Sequence, residues 1–126
     1  ESYVLTTGFA ENRLTHDPEM YRYYQSISKN LEDQQIGGPS FGWLFQTLKE
    51  TKQLAKMKSP DIPCLTFCGA EDTIVAIPAV ERRMNRWQNG SLDFVPNARH
   101  DVLYEVENVR RHVFGAMIEH FERAVA

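Results

Sequence analysis

Two segments of this sequence carry side chains that could do acid–base chemistry together. Gly69-Ala70-Glu71-Asp72-Thr73-Ile74-Val75 offers a carboxylate, and Pro96-Asn97-Ala98-Arg99-His100-Asp101 offers an imidazole 28 positions after Asp72. Each follows a short apolar run that reads as a strand. In open α/β sheets, ligands bind beyond the carboxyl ends of the strands, so adjacent parallel strands would deliver both groups to one edge. A carboxylate that fixes the tautomer of a histidine lets it act as a general base, which is the acid–base half of a Ser-His-Asp triad. Glu71 is the rival acid, although the side chains of neighbours point apart. Taken alone, Asp72 would read as a turn or N-cap aspartate and His100 as a surface-loop histidine; the pairing at sheet-end spacing is what favours chemistry. Asp101 reads as a helix-start carboxylate favoured by the helix dipole, and His16, His112 and His120 as ordinary side chains. A metal reading of His100-Asp101 lacks a third ligand at usable spacing, and no metal or cofactor is expected.

Cys64 and Cys68, the two cysteines of the chain, lie on one apolar run, Pro63-Cys64-Leu65-Thr66-Phe67-Cys68. As a strand this run would hold their Cα atoms about 13 Å apart, too far for a disulfide. With no Cys/His partner pair at ligand spacing they make no zinc site either. They read as reduced core thiols, which places the protein in the cytoplasm.

The elements that must position Asp72 and His100 follow from the same pattern. Residues 63–68 form a first strand ending at Gly69. Ile77-Pro78 opens a helix with Val80, Met84 and Trp87 on one face, which Asn89-Gly90 should end as an αL-capable pair. Residues 91–96 form a second strand, and a helix over 105–124 carries Val106, Val109, Val113, Met117 and Phe121 along one side. Strands alternating with helices predict βαβ units and a parallel sheet. Before the Pro-punctuated loop Met57-Lys58-Ser59-Pro60-Asp61-Ile62-Pro63 the chain reads as helices. Thr15 or Asp17 would cap a helix starting at Pro18, Gly37-Gly38-Pro39 breaks the next stretch, and Phe41, Leu44, Phe45 and Leu48 recur at the spacing of one helix face. That stripe reads as core packing. The division expected is a helical segment over 1–58 and a βαβα unit over 59–126. Two parallel strands cannot cover both faces and both edges of a sheet, so the second unit looks like the end of a larger one.

Composition narrows the function classes. The chain has 126 residues, is 42% apolar and 25% charged, and carries a formal charge of −3, an ordinary globular balance. No Lys/Arg run offers the basic face that phosphate contacts need, which argues against a nucleic-acid partner. No apolar stretch approaches the roughly 20 residues of a membrane span, leaving at most peripheral contact with the inner membrane. Glu1-Ser2-Tyr3 has neither the basic nor the apolar region of a signal peptide. It also lacks an initiator Met, so the sequence reads as beginning inside a longer protein.

A strand followed by Gly-x-x-Asp-x-x-Val, then a second strand and His-x-x-x-x-Glu, resembles the C-terminal end of the α/β-hydrolase fold, more narrowly its lysophospholipase/monoacylglycerol-lipase branch. The resemblance implies that Asp72 is the acid and that His100, in His100-Asp101-Val102-Leu103-Tyr104-Glu105, is the base. Asn12-Arg13-Leu14-Thr15-His16-Asp17 and Gly37-Gly38-Pro39-Ser40-Phe41-Gly42-Trp43 resemble the cap of bacterial lysophospholipase L2-like members. The fold class so implied is α/β: the C-terminal part of an α/β-hydrolase, two βα units, preceded by a mainly helical cap.

This fold also needs a nucleophile elbow G-x-S-x-G between a strand and a helix, and an oxyanion hole from an earlier loop. Gly38-Pro39-Ser40-Phe41-Gly42 matches formally, and the order Ser40, Asp72, His100 fits. We reject it: residues 30–36 are too polar for the buried strand an elbow follows, Pro39 locks φ before the strained turn, and Phe41 is bulky where the helix must pack closely. The nucleophile and oxyanion donors are then expected in an N-terminal half, on the same or a companion chain. The resemblance implies a serine hydrolase of carboxylic esters, with monoacylglycerols or lysophospholipids as substrates and no cofactor. Trp43 and Ile74 are pocket candidates. The aromatic side chains Tyr21, Tyr23, Tyr24, Phe41, Trp43 and Phe45 would be either the underside of the cap packed on the core or the wall of an acyl pocket. Two alternatives stay open: a non-catalytic hydrolase-like domain acting as a binding module, and a different reaction on the same acid–base pair, such as acyl transfer.

Overall fold

The computed structural model describes residues 6–31 and 38–124. The expected polar stretch before Ser40, from residue 32 on, lies outside the described residues, as do Gly37 and the first five positions. Among the described residues, four α-helices and two strands follow in order: α1 (Pro18–Asn30), α2 (Phe41–Leu54), β1 (Cys64–Gly69), α3 (Ile77–Met84), β2 (Gly90–Val95) and α4 (Glu107–Ala124). Short 3₁₀ turns lie at Phe9–Glu11 and Val102–Tyr104. The strands pair in parallel with α3 in the crossover, Cys64 opposite Gly90 and Gly69 opposite Val95. Both strands therefore end at the same edge, as the sequence predicts.

The packing that fixes this edge is small and apolar. Val95, Ala98, Val109 and Val113 form the buried core, with Phe67, Val102, Val106 and Met117 against it. The α4 stripe thus lies on the sheet through Val109 and Val113, whereas Phe121 at its far end is exposed. At the start of β2, a Cβ on Gly90 would sit 2.7 Å from Trp87 Cβ and 2.8 Å from Met84 Cε, so only glycine lets the crossover return so tightly to the sheet.

Several boundaries differ from the sequence reading. Helix α3 stops at Met84, with Asn85 as its C-cap in right-handed conformation, not at Asn89-Gly90. The chain continues in turns closed by Trp87 N–H to Met84 O (2.9 Å) and Gly90 N–H to Trp87 O (3.0 Å), and the Trp87 indole donates to Ile62 O (2.9 Å). Helix α4 begins at Glu107, because the 3₁₀ turn and a buried Glu105 occupy the stretch before it. The α2 stripe read as core is exposed: Phe41 94%, Leu44 44%, Phe45 66% and Leu48 56%. Its spacing is helical, but the described residues place no apolar layer over it.

The N-terminal aromatic residues divide by helix. On α1, Tyr21 is buried and its hydroxyl donates to Thr7 O, while Tyr24 and Tyr23 stack on Tyr104 with ring centroids 4.6 and 6.4 Å away. Tyr21 and Tyr24 are packing residues, whereas Tyr23 is half-exposed. On α2, Phe41, Trp43 and Phe45 are exposed. The cap of α1 is Asp17, whose Oδ1 accepts from Glu19 N–H (2.8 Å) and Met20 N–H (3.1 Å), with Pro18 in the first turn. Among the described residues, no helix is long and apolar enough to cross a membrane.

Candidate active site

Beyond the end of β1 the chain turns sharply, and Asp72 closes that turn. Its Oδ1 accepts from Ile74 N–H (2.7 Å) and Val75 N–H (3.2 Å), which leaves Oδ2 directed at His100 Nδ1, 2.8 Å away. The carboxylate is almost fully buried, while the imidazole is 36% exposed. Burial alone would raise the Asp72 pKa, but the His100 hydrogen bond and the two backbone donors outweigh it and hold the carboxyl below the ordinary aspartate range. An ionised carboxylate facing Nδ1 selects the tautomer with the proton there and puts the lone pair on Nε2. A ring so fixed can accept a proton at Nε2 and return it.

The two loops meet because little stands between them. Ala70 N–H donates to Val95 O and Glu71 N–H to Ala98 O, both at 2.9 Å. A Cβ on Gly69 would lie 2.0 Å from Arg99 O and 2.5 Å from Ala98 O, so the end of β1 runs directly against the backbone that leads to His100. Asn97 turns this backbone with φ of 53°, in the left-handed region that asparagine tolerates.

Glu105 and the 12–17 segment form part of the site's surroundings without a sequence pattern that marks them as such. Glu105 is fully buried. Its Oε1 accepts from Arg99 N–H (2.8 Å) and faces His16 Nδ1 (3.0 Å), and its Oε2 accepts from His16 N–H (3.0 Å) and Val106 N–H (3.2 Å). Thr15 Oγ1 donates to Tyr104 O (2.7 Å), and Arg99 Nη1 donates to Asn12 O (2.9 Å) and Thr15 O (3.1 Å). Asp101 N–H donates to Leu14 O (2.9 Å). The loop carrying His100 is therefore strapped to residues 12–17. The sequence signal for Glu105 was its place in His-x-x-x-x-Glu; nothing in the pattern of residues 12–17 announced a buried partner. His16, read as ordinary, lies between Glu105 and Glu71, its Nε2 being 3.2 Å from Glu71 Oε2. Glu71 thus faces His16, and Asp72 faces His100. Asp101 caps no helix with its side chain and instead accepts the Tyr24 hydroxyl; burial, then the Asp101 carboxylate, push that phenol's pKa far up.

Ser40 has the geometry of a helix N-cap. Its backbone is extended (φ −72°, ψ 157°) and its Oγ accepts from Trp43 N–H at 3.1 Å, with none of the strain of a nucleophile elbow. Ile74 is 47% exposed beside the pair, where its N–H serves Asp72, and Trp43 is 58% exposed on α2. Cys64 and Cys68 are free thiols. Burial pushes the Cys68 thiol up, with the charges of Asp72 and Glu81 adding to it, which favours its protonated form.

The arrangement of paired parallel strands, a crossover helix and a closing helix overlays a solved structure with a TM-score of 0.72. That structure is a soluble variant of monoglyceride lipase from Saccharomyces cerevisiae in complex with a substrate analog, 21% identical, with 94% of this chain and 43% of that one aligned. This chain has the fold of the C-terminal part of an α/β hydrolase. This chain is also 30% identical, over 128 aligned positions, to a Haemophilus influenzae protein named Probable lysophospholipase L2, spanning 96% of this chain and 41% of that protein. It thus covers about two fifths of the length of the relatives it matches. No family model matches. Both relatives bear the names of lipolytic hydrolases.

Proposed function

We propose that this chain supplies the acid and the base of a serine hydrolase that cleaves carboxylic esters of lipids, with monoacylglycerols and lysophospholipids as the substrate class. The observation that carries the reading is the 2.8 Å contact of Asp72 Oδ2 with His100 Nδ1 at the carboxyl ends of two adjacent parallel strands. His100 Nε2 takes the proton from a serine as that serine attacks the acyl carbon. It then returns the proton to the leaving alcohol and activates water to release the acid. Asp72 holds the ring and stabilises its charged form. The serine and the oxyanion donors belong to an N-terminal half of the hydrolase, because Ser40 is engaged as a helix cap. An open apolar groove along β1 and α4, lined by Phe67, Leu103, Met117 and Phe121 among others, is consistent with a sheet that continues on that side. Residues 1–58 act as the cap over the 59–126 core, and Trp43 and Ile74 are the residues we assign to the acyl pocket. Free thiols on β1 favour a cytoplasmic protein, with the exposed aromatic face of α2 giving peripheral membrane contact at most.

The test is hydrolysis by the full-length protein of a monoacylglycerol, a lysophospholipid and a short aryl ester, each against His100→Ala. Release of fatty acid that disappears with His100→Ala supports the reading. A stable, folded protein that hydrolyses none of the three would favour a non-catalytic binding module, and transfer of the acyl group to an added alcohol would make the reaction acyl transfer.

A further inference from the structure

Both ring nitrogens of His16 face carboxylate oxygens, Nδ1 that of Glu105 at 3.0 Å and Nε2 that of Glu71 at 3.2 Å. A neutral imidazole has one N–H and one lone pair, so in either neutral tautomer one carboxylate would meet a lone pair. Only the doubly protonated ring donates to Glu105 and at the same time forms an ion pair with Glu71. The two carboxylates belong to different loops: Glu71 precedes Asp72, and Glu105 accepts from the N–H of Arg99, the residue before His100. His16 comes from a third segment, held in place by its own N–H to Glu105 Oε2 (3.0 Å) and by Thr15 Oγ1 to Tyr104 O (2.7 Å). We propose that His16, as an imidazolium, is a positioning residue that cross-braces the loop of Asp72 to the loop of His100 through Glu71 and Glu105.

The charges around the ring are consistent with this. Glu71 faces it from the loop after β1 and Glu105 from the loop after β2, with Asp17 beside it on its own segment. Arg99 is committed to Asn12 O and Thr15 O, and Arg110, from α4, to Asp17 Oδ2 (2.9 Å) and Glu105 O. The two ends of the brace differ. Glu105 is fully buried and keeps three backbone donors whatever the state of His16, whereas Glu71 is 52% exposed and can turn to water. Loss of one proton from His16 therefore opens the brace at Glu71.

This inference rests on the proposed acid–base roles of Asp72 and His100, and the experiment separates the two. In the full-length protein, the rate of covalent labelling by a fluorophosphonate is followed from pH 5 to 10 for wild type, His16→Gln, Glu71→Gln and His100→Ala. The expected result is a wild-type rate that falls toward pH 10, and for both His16→Gln and Glu71→Gln a maximum about 10-fold lower with no such fall. A merely structural His16 would lower the rate equally at every pH. Glu71→Gln removes only an exposed carboxylate, so it decides the matter if His16→Gln fails to fold. Wild-type rates and profiles in both variants, with labelling abolished in His100→Ala, would overturn the brace alone. Undiminished labelling in His100→Ala would overturn the acid–base reading beneath it.

Discussion

Replacing Gly69 by alanine tests how closely the two loops must approach. The new methyl would lie 2.0 Å from Arg99 O, 2.5 Å from Ala98 O and 2.8 Å from the Arg99 carbonyl carbon. Comfortable non-bonded separation is about 3.5 Å, so the end of β1 and the backbone before His100 must part by roughly 1.5 Å. All three atoms are main chain and cannot rotate aside. The separation breaks Glu71 N–H to Ala98 O, and it strains the Asp72–His100 contact beyond hydrogen-bond length from its present 2.8 Å. A 1 Å misplacement of reacting groups costs about 10²-fold, and loss of the acid's hold on the base about 10⁴-fold. We expect kcat/KM of Gly69→Ala to fall between those limits, equivalent to about 3–5 kcal/mol of transition-state stabilisation. Thermal unfolding should show a smaller loss, about 1–3 kcal/mol for overpacking and the broken hydrogen bond. Ester hydrolysis and calorimetry on the full-length protein measure both. Activity within threefold of wild type would refute the claim that the Gly69–Arg99 contact sets the geometry of the pair.

Asp72→Asn should keep the fold but lower kcat by about 10⁴-fold, because an amide no longer selects the Nδ1–H tautomer; ester hydrolysis within tenfold of wild type would contradict this. Val113→Ala removes two carbons from a fully buried core position and should cost about 2 kcal/mol in chemical denaturation, with labelling unchanged in the folded protein. The Asp72 and Asp17 carboxyls are both held below their ordinary range, in each case by hydrogen bonds that outweigh burial. A depressed folded pKa stabilises above the unfolded value and is lost as pH falls through the folded one. The melting temperature should therefore drop below about pH 4, and Asp72→Asn should flatten part of that drop; an unchanged pH dependence in the variant would argue against an ionised Asp72.

The parts of the fold that were legible are those set by local periodicity. Both strands were placed within one residue, since Pro63 through Gly69 and Ser91 through Pro96 are short apolar runs bounded by turn residues. The meeting of Asp72 and His100 followed from where those strands end. The α3 terminus was misplaced because Asn89-Gly90 is a common helix stop, yet Gly90 is needed for close approach to Met84 and Trp87, a tertiary demand with no local signature. Phe41, Leu44, Phe45 and Leu48 have a helix-face spacing that says they share a side and nothing about what covers it. Glu105 and His16 were the hardest to see. A buried carboxylate is defined by its four donors, and these come from residues 16, 99 and 106, which only the folded chain brings together.

The most direct measurement is intact-mass analysis of the full-length protein after fluorophosphonate treatment, with His100→Ala alongside. The account predicts one tag, on a serine outside residues 1–126, and no tag in the variant. A tag on Ser40, equal labelling in His100→Ala, or no tag on an active, folded protein would contradict it.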